Sequence, residues 1–214
     1  GICGAITAEA VEDAFTRAPD ASTVILTSPT YEGVISNISA IAKVCKKHSA
    51  ALFVDAAHGA HLGFSEHFPD FPRGADIAVT SLHKTLPALT QTALGLVFNE
   101  KYSSRFARNL GIFETSSPSY ILMSSIDECI RYMGKNGKEF CENRVQLRKL
   151  FDCLTQNLQK LRVVTRDIVG KSHVHGYDLG KIIVSAINTN ISGEQLSERL
   201  RVEHGIQMEM SSPD

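Results

Sequence analysis

Residues 74–98 read GADIAVTSLHKTLPALTQTALGLVF, two short apolar runs with one lysine, Lys84, in the turn between them. No acidic residue follows Lys84 until Glu100, sixteen positions on. A solvated surface lysine is the ordinary reading of such a residue, because lysine is seldom buried. Its placement favours another. DIAVTS and ALGLVF are apolar at successive positions, the pattern of strands covered on both faces rather than of a half-wet hairpin. A lysine just past such a strand stands at the rim of a sheet, where open α/β folds bind their ligands.

Outward from that turn the chain alternates helix and strand periods. ALFVD (51–55) is a second buried strand and ends on Asp55, and TVILTS (23–28) is a third. SNISAIAKVCKKHSA (36–50) puts Ile38, Ile41, Ala42 and Val44 or Cys45 on one helical face. TAEAVEDAFTRA (7–18) does so with Ala10, Val11, Ala14 and Phe15, behind Thr7 as N-cap. FSEHFPDFPRGAD (64–76) is a loop packed over the rim, since its prolines exclude a regular strand. The pattern turns helical from 118 to about 160, then gives a strand KIIVSAI, a helix GEQLSERLRVEH and a strand GIQMEM. VGKSHVHGYDLG (169–180), glycine-rich and aperiodic, is the nearest thing to a linker. These periods predict an α/β fold: a parallel or mixed sheet with helices on both faces over 1–160, then the start of a smaller α+β unit over 161–214.

Composition narrows the functions. With 43% hydrophobic residues, 214 positions supply one sizeable core. A net charge of -1 without any basic cluster gives no footprint for nucleic acid or an anionic membrane, so neither partner is expected. No apolar run approaches the roughly 18 residues that span a bilayer, and the first residues lack a signal-peptide layout, so a cytoplasmic protein is expected. Cys3, Cys45, Cys129, Cys141 and Cys153 are odd in number and scattered, which predicts reduced thiols rather than disulfides or a zinc ribbon. The chain begins without methionine in an apolar stretch and stops just after a strand-like run, the look of a piece of something longer.

Asp55 ends one strand and Lys84 follows another, so both project from one rim. A lysine in apolar surroundings keeps part of its amine neutral and able to attack a carbonyl carbon, forming a Schiff base. A carboxylate nearby can hold a protonated ring nitrogen. Pyridoxal phosphate (PLP) offers an aldehyde, a ring nitrogen and a phosphate, and Ser81, His83 and local backbone amides are donors for the last. Other readings stay open at this point. Asp55 could merely cap the following turn. Asp55, His58, His61 and His83 could form a metal set, although that leaves Lys84 unexplained. Tyr31, in SPTYEG, reads as a turn residue beside the site rather than a catalytic acid.

Taken in order, LTSPTYEGVISNISAIAKVCKKH (26–48), LFVDAAHGAHLGF (52–64), GADIAVTSLHKTLPALTQTAL (74–94) and TSSPSYILMSSID (115–127) resemble the Orn/Lys/Arg decarboxylases. These are basic-amino-acid decarboxylases among the fold-type-I, aspartate-aminotransferase-like PLP enzymes, and the resemblance runs from about residue 8 to residue 209. Asp-x-Ala-His at 55–58 with Ser-x-His-Lys at 81–84 carries most of its specificity. It implies Lys84 as the Schiff-base lysine, Asp55 as partner of the pyridine nitrogen, Ala57 against a ring face and His58 beside the cofactor. Ser81 and His83 become phosphate-side contacts, Lys84 or His83 the proton donor to the α-carbon, and Glu209 the partner of a distal amine or guanidinium. A homodimer with shared sites is implied too, with Thr115 and Ser116 reaching the neighbouring subunit's cofactor. Ala56 stands where the family usually has an acid. The family's upstream phosphate loop and ring-stacking residue are not among the 54 residues before Asp55, so by resemblance this is a central piece, inactive alone. Transamination by the same kind of site, or a scaffold that holds no cofactor, are the alternatives.

Overall fold

The computed structural model describes residue 2 and residues 4–213; Cys3, one of the expected thiols, lies outside them. In chain order the first half holds α1 (Ala8–Arg17), β1 (Thr23–Thr27), β2 (Val34–Ile35), α2 (Ile38–Lys47), β3 (Ala51–Asp55), β4 (Ile77–Ser81), α3 (Leu82–Thr85) and β5 (Ala93–Val97). The second half holds α4 (Ser103–Phe113), α5 (Tyr120–Thr155), β6 (Arg162–Val163), β7 (Gly176–Tyr177), β8 (Val184–Ser185) and α6 (Gly193–His204).

The central sheet has the order β1-β3-β4-β5. β1, β3 and β4 are parallel, with Thr27 opposite Asp55 and Asp55 opposite Val79, and β5 closes the edge antiparallel to β4. The sheet is therefore mixed, as the apolar runs predict. Leu26, Leu52, Val54 and Ala78 form one face and pack under Val11 and Phe15 of α1 and Ile38, Ile41 and Cys45 of α2. Thr7 caps α1 through a bond from the Ala10 amide, and Asn37 caps α2 from Ala40. The buried stripe of α1 is narrower than its spacing suggests, since Ala10 and Ala14 stay exposed. On the opposite face the cover is thinner. Phe106 of α4 lies against Gly95, leaving no room for a side chain there, while Ile25 on the edge strand is 72% exposed. Helices do flank both faces, but unevenly.

α5 ties the halves together. Cys129 and Met133 pack on Ala60, Leu82 and Leu86, and Cys141 and Val145 join Ile35, Leu62 and Phe68. Arg148, 3% exposed, donates to Asp152 Oδ1 (2.8 Å) and to the carbonyls of Leu179 (3.3 Å), Lys181 (2.8 Å) and Val164. Its guanidinium thus staples residues 164 and 179–181 to the long helix. The loop at 64–76 contains no strand, and its Phe68 meets the His61 ring edge-on at 5.0 Å.

Three expectations fail in the second half. Residues 169–180 are not a linker: β7 pairs with β2, and Tyr177 and Asp178 are buried. The run 181–187 shrinks to the two-residue β8, paired with β6, and 205–210 forms no strand. Helix α4 was not foreseen. By contrast α6 begins at a reciprocal capping box between Ser192 and Gln195 and ends at Gly205 in the left-handed region (φ 66°). Cys45, Cys129 and Cys141 are buried free thiols and Cys153 an exposed one. Among the described residues no helix is long and apolar enough to cross a membrane.

Candidate active site

The ends of three parallel strands are stitched into one rim. Ser28 N donates to Asp55 O (2.9 Å), Ala56 N to Val79 O (2.8 Å), Thr80 Oγ1 to Ala56 O (2.9 Å) and Ser81 N to Ala57 O (3.3 Å). Asp55 stands there half-buried, and its Oδ1 accepts from the Ala57 amide at 2.9 Å, so it caps the turn as well as lining the rim. Past β4 the single turn α3 carries His83 and Lys84. His83 Nδ1 lies 3.0 Å from Thr92 O, a carbonyl that can only accept, so that nitrogen carries the proton. The Ser81 side chain makes no capping bond to α3.

Lys84 is exposed rather than set in an apolar wall, which corrects the reason given for its reactivity. Its Nζ lies 3.3 Å from His58 Nε2. His58 is buried, 8% exposed, and its other ring nitrogen, Nδ1, is 3.4 Å from Lys181 Nζ. Burial first, then the charges of Lys181 and Lys84, push the His58 pKa down against the pull of Glu209 and Asp55. Burial and the two lysines thus favour the uncharged form of the ring. Tyr31 meets it edge-on at 4.9 Å, and Lys181 Nζ sits 4.9 Å from the centre of the Tyr31 ring.

Burial, then a hydrogen bond with Glu209 and the charges of Glu209 and Glu32, push the Tyr31 hydroxyl's pKa up. Glu209 is therefore beside Tyr31 and His58, although it arrives on an exposed irregular segment and not on a strand. Sequence reasoning missed Lys181. The signal existed: like Lys84, it is an isolated cation abutting an apolar run, KIIVSAI. Gly33, at φ +91°, makes room for it, because a Cβ there would lie 2.9 Å from Lys181 Cγ.

His61, three residues beyond His58, has a different partner. Its Nε2 is 3.0 Å from Asp178 Oδ1, and both side chains are 1% exposed. Burial opposes the Asp178 charge, but the hydrogen bond and charge of His61, the Gly180 amide and Lys181 outweigh it and hold its pKa below the usual value. With His61 engaged there, the alternative metal set does not assemble, and among the described residues no three His, Cys, Asp or Glu side chains are grouped to hold a metal. Thr115 and Ser116 lie on the exposed loop between α4 and α5, where Thr115 Oγ1 accepts from Ser117 N (3.1 Å). The structure does not bring them to this chain's rim. Two clefts elsewhere, beside Leu158 and Leu161, contain none of these residues, and the first is lined largely by Leu158, Ile191, Leu196 and Leu200. The reactive groups sit on the rim instead.

A mixed α/β sheet with an aspartate ending one parallel strand and a lysine on the turn after the next defines a fold-type-I architecture. Residues 1–188 match the major domain of the Orn/Lys/Arg decarboxylases, and the chain belongs to that family. The arginine decarboxylase of Halalkalibacterium halodurans is 32% identical over 214 residues, which covers 99% of this chain and 44% of that enzyme. The chain thus spans less than half the length of that relative. A Francisella novicida lysine decarboxylase shares the fold at a TM-score of 0.70 and 16% identity, over 97% of this chain and 35% of the other. An alanine–glyoxylate aminotransferase from Nostoc sp. does so at 0.69 and 16%, over 95% and 56%. Membership of the family implies PLP as the cofactor.

Proposed function

We propose that this chain is the cofactor-binding core of an enzyme that removes the α-carboxylate of lysine, ornithine or arginine. The observation that carries the reading is the convergence of the Lys84 amine and the Asp55 carboxylate on one rim around a buried, neutral His58. The donor set fits PLP. Lys84 offers an exposed primary amine for the aldehyde, Asp55 a carboxylate for the ring nitrogen, Ala57 a surface no larger than a methyl, and Ser81 and His83 a hydroxyl and an imidazole for the phosphate side. When bound, PLP supplies the electron sink for the charge left at the α-carbon as the carboxylate departs.

The chain's own residues bind, orient and manage protons. Asp55 would hold a proton on the ring nitrogen of the bound cofactor through its carboxylate. Lys84 and His83 are the two groups that can return a proton to the α-carbon. Glu209 and Tyr31 receive the distal cation of the substrate, where an acidic partner offsets its desolvation. Residues 1–160 form the cofactor-binding unit and 161–214 the smaller one, whose residues 174–181 fold back onto the site. The working form we infer is a cytoplasmic homodimer in which Thr115 and Ser116 serve the neighbour's cofactor. Support for that comes from their exposure and from Ile112, Phe113, Tyr120 and Ile121, which put 59–84% of their surface in solvent around them, the kind of apolar patch a partner covers.

Borohydride reduction of the PLP-loaded full-length protein should fix the cofactor on the peptide carrying SLHK. Label on another lysine would sink the assignment. Asp55→Ala in the same protein should slow turnover by about 10³-fold, near 4 kcal/mol of barrier. Product analysis with lysine, ornithine and arginine should return the amine and carbon dioxide; a keto acid instead would place the chemistry with transamination.

A further inference from the structure

Lys181 is held too carefully to be an incidental surface cation. Its carbonyl accepts from Arg148 Nη1 (2.8 Å) and from the Tyr177 hydroxyl (3.1 Å), which fixes the backbone that carries it. Its stem passes over Gly33, and its Nζ rests on the Tyr31 ring. Two segments meet here twice: His58 with Lys181, and His61 with Asp178, each pair of residues three positions apart on its own segment. The His61–Asp178 contact is buried on both sides and ties together the two segments that carry His58 and Lys181.

The proton count on His58 then decides its role. A neutral imidazole has one donor and one acceptor nitrogen, whereas an ammonium can only donate. Nδ1 faces Lys181 and Nε2 faces Lys84, so two ammonium groups cannot both be satisfied. The Tyr31 ring under Lys181 Nζ favours a cation at that end, and among the described residues no ring lies under Lys84. The remaining charged groups acting on His58, Glu209 and Asp55, are both acidic.

We infer that Lys181 is a positioning residue of this site: anchored by the His61–Asp178 pair, it donates to His58 Nδ1 and so fixes His58 as the Nε2–H tautomer, a neutral donor to the Lys84 nitrogen once that nitrogen is uncharged and to whatever Lys84 holds. The identity of that group rests on the function proposed above; the place of the proton on His58 does not. Losing Lys181 frees the ring to turn its lone pair toward Lys84, where it would accept from the lysine instead of donating.

The test is the tautomer itself. In ¹⁵N-histidine-labelled protein at about pH 8, above the ordinary histidine range, long-range proton–nitrogen correlation should show His58 protonated on Nε2 alone, its signal identified by its loss in His58→Gln. Lys181→Met should give a mixture of the two tautomers and raise the His58 titration midpoint, and Lys181→Arg should restore the single form. Nδ1 protonation in the wild type, or an unchanged spectrum in Lys181→Met, overturns the inference. If Lys181→Met fails to fold, the wild-type spectrum still decides it. Borohydride labelling of Lys84 is read separately, so failure of the proposed function and failure of this inference are distinguishable.

Discussion

On one side of the turn that follows β3, His58 faces two lysines, the exposed Lys84 and Lys181; on the other, three residues later, His61 faces an aspartate in a fully closed contact. The same residue type, on the same turn, is made into two different devices by the sign of its partner and the access of water. Cations around His58 oppose a third charge and leave an uncharged ring whose proton can be steered. The carboxylate against His61 makes a buried pair that joins the β3 turn to the segment after β7. One acts on chemistry and the other on architecture, and the second holds the first in place.

Three experiments would break or sharpen that contrast. Removing the buried partner should have the largest effect: Asp178→Ala leaves His61 unpaired and should cost about 3–5 kcal/mol of unfolding free energy in a urea titration. A loss below about 1 kcal/mol would mean the pair holds nothing together. Acid should have the next effect. Because the Asp178 pKa is depressed on folding, its contribution is complete above the ordinary aspartate value of about 4 and is lost as pH falls through the lower folded value. Urea midpoints should fall over that acidic window in the wild type and fall less in Asp178→Asn. An equal fall in both would assign the acid sensitivity elsewhere. The smallest change is expected on the other side of the turn, where His58→Gln keeps bulk and polarity and should shift stability by less than about 1 kcal/mol. A larger shift would make His58 architectural as well.

Legibility in the sequence followed how each residue is buried. β3 and β4 appear as apolar runs because they lie mid-sheet, and β1 and β5 do so although as edge strands they leave one face largely open, while α1 and α2 announce themselves by apolar spacing and α1 also by its Thr7 cap. Asp55 and Lys84 could be placed on one rim because parallel strands end at the same edge. What stayed hidden depends on pairing across the chain. β7 is two residues long, and Tyr177 and Asp178 are buried by β2, Arg148 and His61 from distant parts of the sequence, so nothing in their own neighbourhood signals it. Residues 205–210 alternate like a strand but join no ladder. Helix α4 leaves Leu110, Ile112 and Phe113 in solvent, and a helix that buries so little offers no clean stripe to read.

The close passage of Lys181 over Gly33 has a consequence for protein engineering. Replacing flexible glycines with alanine is a common route to heat resistance, because it narrows the unfolded ensemble. Position 33 would punish that strategy twice, since its φ of +91° is hostile to any L side chain and the first added carbon would intrude on the lysine's stem. A random library scored for turnover would rank this glycine alongside the residues that do the chemistry, although it carries no functional atom. Thermostabilising designs on this scaffold should leave it untouched, along with Gly170, whose φ of +84° is equally hostile although nothing lies within 4 Å, and look instead to Gly111 and Gly134, which are open on both counts.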